Sequence, residues 1–302
     1  MLIENSPPFG RKCLETDEQM TKRLTIFAVP KAFEGHADII QRNAITSWTF
    51  LPDDIEVILL GNDAGVKEIA DELGVQHLPN LKRNDLGTPM LDSVFQLAHQ
   101  HASAPTMMYL NSDIILNRSI EGMLDAIEGT AAKQFLAIGQ RRDFDQNEPL
   151  NFDAEWEQRI EAKAERHGTF ASILCKYYFV FPSSMYQTIP AFSIGRGNWD
   201  SWMVANSVEQ GIPVFDVTDQ LFAGHQNHDH NHAGGRAKAY VTGAEAKQNK
   251  KLAGGTNYVS GSVATHKINA KGQIQRINRI PLLSFVWDFP KWFGLVIKLI
   301  RG

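Results

Sequence analysis

The chain has 302 residues, of which 43% are hydrophobic and 21% are charged, and this mixture argues against a disordered chain and against a bundle of membrane-spanning helices. Its 30 basic and 34 acidic side chains give a net charge of −4, which argues against the broad electropositive face of a dedicated nucleic-acid-binding protein. Two cysteines without a C-x-x-C spacing exclude a disulfide framework and a thiolate zinc site, so we expect a reducing, cytoplasmic location.

Three segments are predicted along the chain. Residues 1–23 mix charged side chains with two prolines and contain no apolar run of signal-peptide length, so we expect a flexible leader. Residues 24–270 alternate short apolar runs with longer amphipathic segments, without a clean linker. This pattern predicts a single α/β domain with a mostly parallel central sheet flanked by helices. Residues 271–302 make up an apolar and basic tail.

Within the domain, apolar runs predict strands, and apolar residues at helical spacing predict helices. The helix at 87–101 has Thr88 as its expected N-cap and Pro89 at its first position. The segment 151–168 is also helical, but it is so rich in Glu and Arg that we expect a lid or an acceptor-side insertion outside the core. The predicted strands are 24–30, 56–63, 75–79, 106–116, 135–140, 177–182 and 213–218, and the other predicted helices are 38–48, 64–74 and 198–211.

Two aspartates end buried strands, Asp63 in "EVILLGND" and Asp113 in "MMYLNSD". Ligands of open parallel sheets bind outside the carboxyl ends of the strands, so these carboxylates are candidates to accept from a nucleoside or to hold Mg²⁺ or Mn²⁺. The alternative is that both are turn-forming residues. Neither G-x-G-x-x-G nor a P-loop motif occurs, so a nucleotide would need a metal ion in place of a glycine-rich phosphate cradle.

The order of these features resembles the nucleotide-sugar half of GT-A glycosyltransferases. The shared features are a strand, Asp63, a helix, "RNDLGTP" (83–89) opening a second helix, and a strand that ends in Asn111-Ser112-Asp113, a variant of the D-x-D motif. The resemblance implies a sugar nucleotide lying across the strand ends, with Asp63 near the base or ribose. It also implies that Asn111 and Asp113 surround a divalent cation, Mn²⁺ or Mg²⁺.

The resemblance covers roughly residues 24–235 and implies a nucleotide-sugar half at 24–116 and an acceptor half at 117–270. Asn111 stands where the motif has its first Asp, and an amide oxygen is a weaker ligand than a carboxylate, so we expect a lower metal affinity than with a D-x-D motif. Further residues that we expect to bind substrate are Lys31, Arg83, Asn84, Ser112 and Arg141.

The segment "GRGNWDSWMV" (195–204) places Asp200 where a loop enters a helix, and GT-A enzymes similarly present an acidic residue to the acceptor there. An inverting transferase needs a carboxylate that takes the proton of the acceptor hydroxyl, and we predict that Asp200 is this base. Its alternative role is an N-cap that accepts from backbone N–H groups. Asp143 and Asp145 compete for the role of base, and a retaining enzyme would not need one.

The segment "HQNHDHNH" contains His225, His228, His230 and His232, four of the ten histidines of the chain. Imidazole binds Mn²⁺ and Zn²⁺ well, and GT-A enzymes often supply a late histidine as the third protein ligand, so we expect His225 or His228 to bind the metal. The alternative is a surface loop whose histidines face water. The zinc-hydrolase pattern H-x-H-x-D-H does not fit, because Asp229 falls at an intervening position.

The tail at 281–302 combines aromatic and cationic side chains, but Asp288 and Pro290 interrupt it, whereas a membrane span needs about 20 apolar residues. The tail is suited to the headgroup boundary of a membrane, where cytoplasmic transferases with lipid-linked acceptors dock. Its alternative role is to cover an apolar patch of the domain. We therefore expect a saccharide or a lipid-linked molecule as the acceptor.

These residues together predict a metal-assisted glycosyltransferase. The divalent cation neutralises the leaving nucleoside diphosphate, while Asp200 deprotonates an acceptor hydroxyl. Two alternatives share the architecture. One is a nucleotidyltransferase that makes sugar nucleotides, against which the single glycine of "VPKAFEGH" (29–36) counts, because those enzymes carry a glycine-rich loop there. The other is a non-catalytic protein that binds a sugar or a nucleotide.

Overall fold

The computed structural model describes residues 21–172, 176–228, 238–255 and 264–277, so most of the leader, most of the tail, His230 and His232 lie outside the described residues. The strands are β1 (Leu24–Ala28), β2 (Ile55–Leu60), β3 (Gln76–Leu78), β4 (Thr106–Leu110), β5 (Ile114–Leu116), β6 (Leu136–Ile138), β7 (Arg142–Phe144), β8 (Thr169–Phe170), β9 (Tyr178–Pro182), β10 (Val214–Asp216), β11 (Ala223–Gln226), β12 (His266–Ile268) and β13 (Ile274–Arg276). The helices are α1 (Gly35–Thr49), α2 (Val66–Leu73), α3 (Leu91–His101), α4 (Ser119–Glu128), α5 (Trp156–His167), α6 (Trp199–Glu209) and α7 (Ala244–Leu252), with a π-helical turn at Lys238–Thr242.

Nine strands form the central sheet, in the order β13-β12-β10-β6-β9-β4-β1-β2-β3. β1 pairs in parallel with β2 and β4, β2 with β3, and β10 with β6 and β12, which confirms the prediction of a mostly parallel α/β sheet. β9 runs antiparallel between β4 and β6 and thereby joins the two parallel parts. At one edge β13, from the predicted tail, pairs antiparallel with β12.

Helices cover both faces of this sheet, and each face has its own apolar cluster. One cluster includes Trp48 of α1 and Met123 of α4, and the other includes Phe95 of α3 and Met203 of α6. Helices on both faces explain why four of the five residues of β1 are apolar, since all five are buried. None of the helices in the described ranges has both the length and the hydrophobicity that crossing a bilayer requires.

α5 belongs to the core, so the expectation of a lid or an insertion outside the core is wrong. Trp156, Ile160 and Ala164 are buried and pack in the cluster that contains Trp48. These three residues are spaced four apart, which aligns them in one narrow stripe along the helix. These three side chains are enough to pack α5 against the domain, although most of its other residues are polar and exposed.

The start of α3 also differs from its prediction. Pro89 pairs with Arg83 and Met90 pairs with Ser193 in isolated bridges, which keep this part of the chain extended. The helix therefore begins at Leu91, and Met90 precedes it in an extended conformation. Thr88 is thus not the N-cap.

A second, four-stranded sheet has the order β5-β11-β7-β8. It divides the predicted strand 106–116 in two, because β4 lies in the central sheet and β5 in this second sheet. Residues 111–113 form the turn between them. The transition from one sheet to the other therefore places the D-x-D variant at a point where both sheets meet.

Candidate active site

The pairing of β11 brings distant side chains together. β11 is antiparallel to β5, so that His225 lies opposite Ile114, the neighbour of Asp113 in the chain. β11 is also parallel to β7, so that His225 lies opposite Asp143. His228 follows two residues after the strand and reaches Asp113 across 115 positions of sequence. The second sheet thus assembles a cluster that no local motif contains.

Asp113, His225 and His228 have the arrangement of metal ligands. The Oδ2 atom of Asp113 lies 2.9 Å from Nε2 of His228 and 3.7 Å from Nε2 of His225. One ligand atom from each of the three side chains lies within 4.8 Å of the others. His225 is only 4% exposed, so the alternative of a water-facing loop is wrong for this histidine. Burial raises the pKa of Asp113, but the imidazoles of His225 and His228 lower it more, and the pKa lies well below its ordinary value.

One carboxylate oxygen of this cluster is buried without a hydrogen-bond partner among the described residues. Buried polar side-chain atoms nearly always have hydrogen-bond partners, and each exception calls for an explanation such as a bound ion. Within the described ranges four such atoms without an aligned hydrogen bond are here: Asp113 Oδ1, Arg141 Nε, Asp143 Oδ1 and His225 Nδ1. Arg141 Nε and His225 Nδ1 lie 2.6 and 3.0 Å from Asp143 Oδ1, so Asp113 Oδ1 is the atom of the cluster that calls for an ion. One carboxylate and two imidazoles suit Mn²⁺ better than Mg²⁺, which takes mainly oxygen ligands. The residues present therefore fit a divalent cation.

Asn111 shapes the turn that presents Asp113. Its backbone N–H donates to the carbonyl of Tyr177 at 3.1 Å, and its backbone carbonyl accepts from the N–H of Ile114 at 3.2 Å. The first bond ties the turn to the segment before β9, and the second closes the turn before β5. Its side chain is half-buried, and its role as a metal ligand stays a prediction.

Ser112 contacts α1 beside the Asp113 turn. Its hydroxyl is buried and donates to Oε1 of Gln41 in α1 at 2.8 Å. Gln41 also bonds both backbone groups of Lys31, at 2.8 and 3.1 Å. Gln41 therefore connects the segment after β1 with the Asp113 turn, whereas Lys31 itself is exposed. Substrate binding by Ser112 and by Lys31 stays a prediction.

Gln226 and Asn43 form a hydrogen-bonded pair of amides that supports the Asp113 turn, and the sequence did not predict this pair. Gln226 is fully buried and donates to the carbonyl of Ile40 at 2.7 Å, while it accepts from Nδ2 of Asn43 at 2.8 Å. A weaker contact of 3.4 Å joins Gln226 to the carbonyl of Asp113. The available signal was the position of polar Asn43 on the apolar stripe of its helix, since a buried amide needs a partner.

Arg141, Asp143 and Tyr177 form the far side of the cluster. Oδ1 of Asp143 lies 2.6 Å from Nε of Arg141 and 3.0 Å from Nδ1 of His225. The guanidinium carbon of Arg141 lies 3.4 Å from the centre of the Tyr177 ring. Burial raises the pKa of Asp143, but His225 and Arg141 lower it more, so the net shift is downward. Arg141 is 7% exposed, and its role in substrate binding stays a prediction.

Asp63 and Arg83 pair at the carboxyl end of β2. The Asp63 carboxylate accepts from Nη2 of Arg83, and Nη1 of Arg83 donates to the carbonyl of Gly87 at 2.9 Å. Gly61, with φ of +108°, allows the chain to turn directly before Asp63. Both charged side chains are half-buried, so they present a paired carboxylate and guanidinium at the strand end where the sequence predicted nucleotide binding.

Asn84 organises the loop before α3. Its Oδ1 accepts from the backbone N–H groups of Leu86 and Thr88, at 2.9 and 3.0 Å. Its Nδ2 donates to Glu245 of α7 at 2.6 Å and to Ser193 at 3.1 Å. These four bonds account for the whole side-chain amide, and substrate binding by Asn84 stays a prediction.

Asp200 lies in the first turn of α6 rather than at its N-cap. The N-cap is Asn198, with φ of +83°, but the Asp200 carboxylate still accepts from the backbone N–H groups of Asp200 and Ser201, as the capping alternative expects. Burial raises the pKa of Asp200, and the nearby positive charge of Lys176 partly opposes this rise. Asp145, a competing candidate, is exposed and accepts from Asn227 at 2.7 Å. Because Lys176 precedes Tyr177, the same segment approaches both Asp200 and the Asp113 turn.

Comparison with protein-family models and with curated proteins gives no match. Among solved structures, the chain is similar to S. aureus TarS 1–349 in complex with UDP-GlcNAc, with 12% identity and a TM-score of 0.49 over 76% of this chain and 65% of that chain. It is also similar to the mannosyltransferase PcManGT from Pyrobaculum calidifontis in complex with GDP-Man and Mn²⁺, with 12% identity and a TM-score of 0.45 over 70% of this chain and 59% of that chain. The chain spans less than two thirds of either protein.

Proposed function

We propose that the chain is a glycosyltransferase that moves a sugar from a nucleotide-diphosphate donor to an acceptor hydroxyl with the help of a divalent cation. The observation that carries the proposal is the partly buried cluster of Asp113, His225 and His228, in which the Oδ1 atom of Asp113 has no hydrogen-bond partner among the described residues. These three side chains, together with the amide of Asn111, would hold Mn²⁺ or Mg²⁺. A cation bound there supplies positive charge that stabilises the leaving diphosphate.

Asp200 is the proposed base for the acceptor hydroxyl. Its pKa is raised by burial, which brings it closer to neutral pH, where a general base is most effective. Lys176 opposes the rise and so favours the ionised carboxylate that accepts a proton. Asp143 is engaged by His225 and Arg141, which leaves Asp200 as the better candidate.

The donor is proposed to lie along the carboxyl ends of the parallel strands. Asp63 and Arg83 offer an acceptor and a donor at the end of β2 for the base or the ribose. Further contacts with substrate are proposed for Lys31, Asn84, Ser112 and Arg141. The proposed acceptor is a saccharide or a lipid-linked molecule, and the proposed location is cytoplasmic with contact between 281–302 and a membrane surface. The aromatic and cationic composition of that segment supports this location.

Product analysis tests the proposed reaction. The protein is incubated with UDP-, GDP- and dTDP-sugars and a panel of saccharide acceptors, with and without Mn²⁺, and release of nucleoside diphosphate is measured. We expect release that depends on the acceptor and on Mn²⁺. Consumption of pyrophosphate would instead identify a nucleotidyltransferase, and calorimetric binding without turnover would identify a sugar or nucleotide binder.

Asp113→Asn is the matched variant for this assay, because it keeps the side-chain shape and removes the charge. We expect turnover to fall at least about 100-fold, since even the loss of a residue behind a metal ligand lowers activity by about 10- to 100-fold. Glu148→Gln removes a carboxylate that is exposed to solvent and should retain normal turnover. Normal turnover of Asp113→Asn would contradict the proposal.

A further inference from the structure

The two ring nitrogens of His225 face different carboxylates. Nδ1 lies 3.0 Å from Oδ1 of Asp143, and Nε2 lies 3.7 Å from Oδ2 of Asp113. We infer that Asp143 is a positioning residue that keeps the proton of His225 on Nδ1 and so leaves Nε2 free to bind a cation beside Asp113. This inference rests on the proposed function, because it assigns His225 as a ligand of the proposed ion.

The chemistry of the two groups determines the direction of the effect. An ionised carboxylate accepts hydrogen bonds and has no proton to donate, so an imidazole nitrogen within hydrogen-bond reach of it carries the hydrogen. Nδ1 is within that reach of Asp143 at 3.0 Å, whereas Nε2, at 3.7 Å from Asp113, is beyond it. A neutral imidazole has one such hydrogen, and its other nitrogen then has a free lone pair. Histidines that bind metals usually donate the second ring N–H to a carboxylate or carbonyl in this way, which fixes the ring and raises its basicity.

Backbone pairing holds Asp143 in this place. Asp143 and His225 are register partners in the parallel pair of β7 and β11, and each of these strands has a second neighbour in the four-stranded sheet. The His225 ring is buried and stacks against the Tyr177 ring, with 5.9 Å between the ring centres and 28° between the planes. The contact therefore does not depend on an exposed loop.

Arg141 holds the carboxylate from the other side. Its Nε lies 2.6 Å from the Asp143 oxygen that also faces His225, and its guanidinium lies over the Tyr177 ring. These contacts are close, but Asp143 Oδ1, Arg141 Nε and His225 Nδ1 all lack an aligned hydrogen bond. At 2.6 and 3.0 Å, Arg141 Nε and His225 Nδ1 are nevertheless within hydrogen-bond reach of Asp143 Oδ1, so Asp143 lies between the two.

Asp143→Asn tests the inference with two measurements. The first is the ¹⁵N NMR signature of the His225 ring, assigned by its loss in His225→Gln. The second is the affinity for Mn²⁺, measured by calorimetry on the full chain. In the wild type we expect the proton on Nδ1. In Asp143→Asn we expect a mixture of tautomers and a Kd for Mn²⁺ that is about 10- to 100-fold higher.

Glu148→Gln, which also removes one negative charge, is the control and should change neither measurement. A lower melting temperature of Asp143→Asn with the proton still on Nδ1 would show a merely structural role and would also overturn the inference. An unchanged tautomer together with an unchanged Mn²⁺ affinity in Asp143→Asn overturns the inference and leaves the proposed function in place. Mn²⁺ binding that depends on Asp143, in a protein without sugar transfer, supports the inference and refutes the proposed function. A wild type that does not bind Mn²⁺ refutes both.

Discussion

Replacing Asp200 by Asn separates its proposed catalytic role from its effect on stability. The substitution keeps the shape of the side chain but removes the carboxylate that would accept the proton of the acceptor hydroxyl. General bases contribute about 10²- to 10⁴-fold to rates, so we expect kcat to fall within this range while the KM for the donor changes little. In the wild type, activity should fall on the acid side as Asp200 becomes protonated, and its raised pKa moves this limb toward neutral pH.

Burial of Asp200 affects stability in the opposite direction to activity: low pH should lower the activity but favour the folded state. Because the pKa of Asp200 is higher in the folded chain than in the unfolded chain, the folded state binds this proton more tightly. The contribution of Asp200 to stability is therefore greatest at low pH, and it is lost as the pH rises from about 4, the ordinary value, through the raised pKa. Each pKa unit of difference between the folded and the unfolded chain corresponds to about 1.4 kcal/mol in the free energy of unfolding. In a large domain, each kcal/mol shifts the melting temperature by about 2–4 °C.

Thermal unfolding of the wild type and of Asp200→Asn between pH 4 and pH 8 measures this effect. We expect the melting temperature of the variant, relative to that of the wild type, to increase with pH and to level off once the pH has passed the raised pKa of Asp200. Glu148→Gln, at an exposed position, should show no such trend. A relative melting temperature that decreases with pH would refute the reasoning from burial, and a normal kcat in Asp200→Asn would refute the role of base.

Two further predictions concern packing. Ile160→Ala should lower the free energy of unfolding, measured in urea, by about 2–5 kcal/mol, because Ile160 is only 2% exposed. Glu165→Ala, on the exposed side of α5, should change it by less than about 0.5 kcal/mol. Equal effects of the two substitutions would contradict the packing of α5 in the core. Gly139→Ala places a methyl group on the buried Tyr178 hydroxyl and should destabilise the fold by about 1–3 kcal/mol. Adding Tyr178→Phe should recover part of this loss, and a double variant less stable than Gly139→Ala would contradict the steric cause.

The elements of the fold were accessible from sequence because their signals are local. Period-two and period-3.6 patterns report which side of a segment is buried, so the strands at Leu24–Ala28 and Ile55–Leu60 and the helix at Gly35–Thr49 were predicted at nearly their observed positions. Asp113 was predicted as a candidate for a similar reason, because a polar residue at the end of an apolar strand can be recognised from the sequence alone. The narrow stripe of α5 was misjudged because its charged residues outnumber its three buried ones.

The partners of Asp113 depend on contacts that no local pattern encodes. The second sheet joins β5, β11 and β7, and this pairing selects His225 and His228 as neighbours of Asp113 and sets Asp143 behind His225. Likewise, Gln41 and Gln226 support the turn only because α1 lies against it. Composition and periodicity thus established an α/β chain with a carboxylate at a strand end. Long-range strand pairing determines which imidazoles lie next to Asp113, because the register of the sheet depends on packing among segments more than a hundred residues apart.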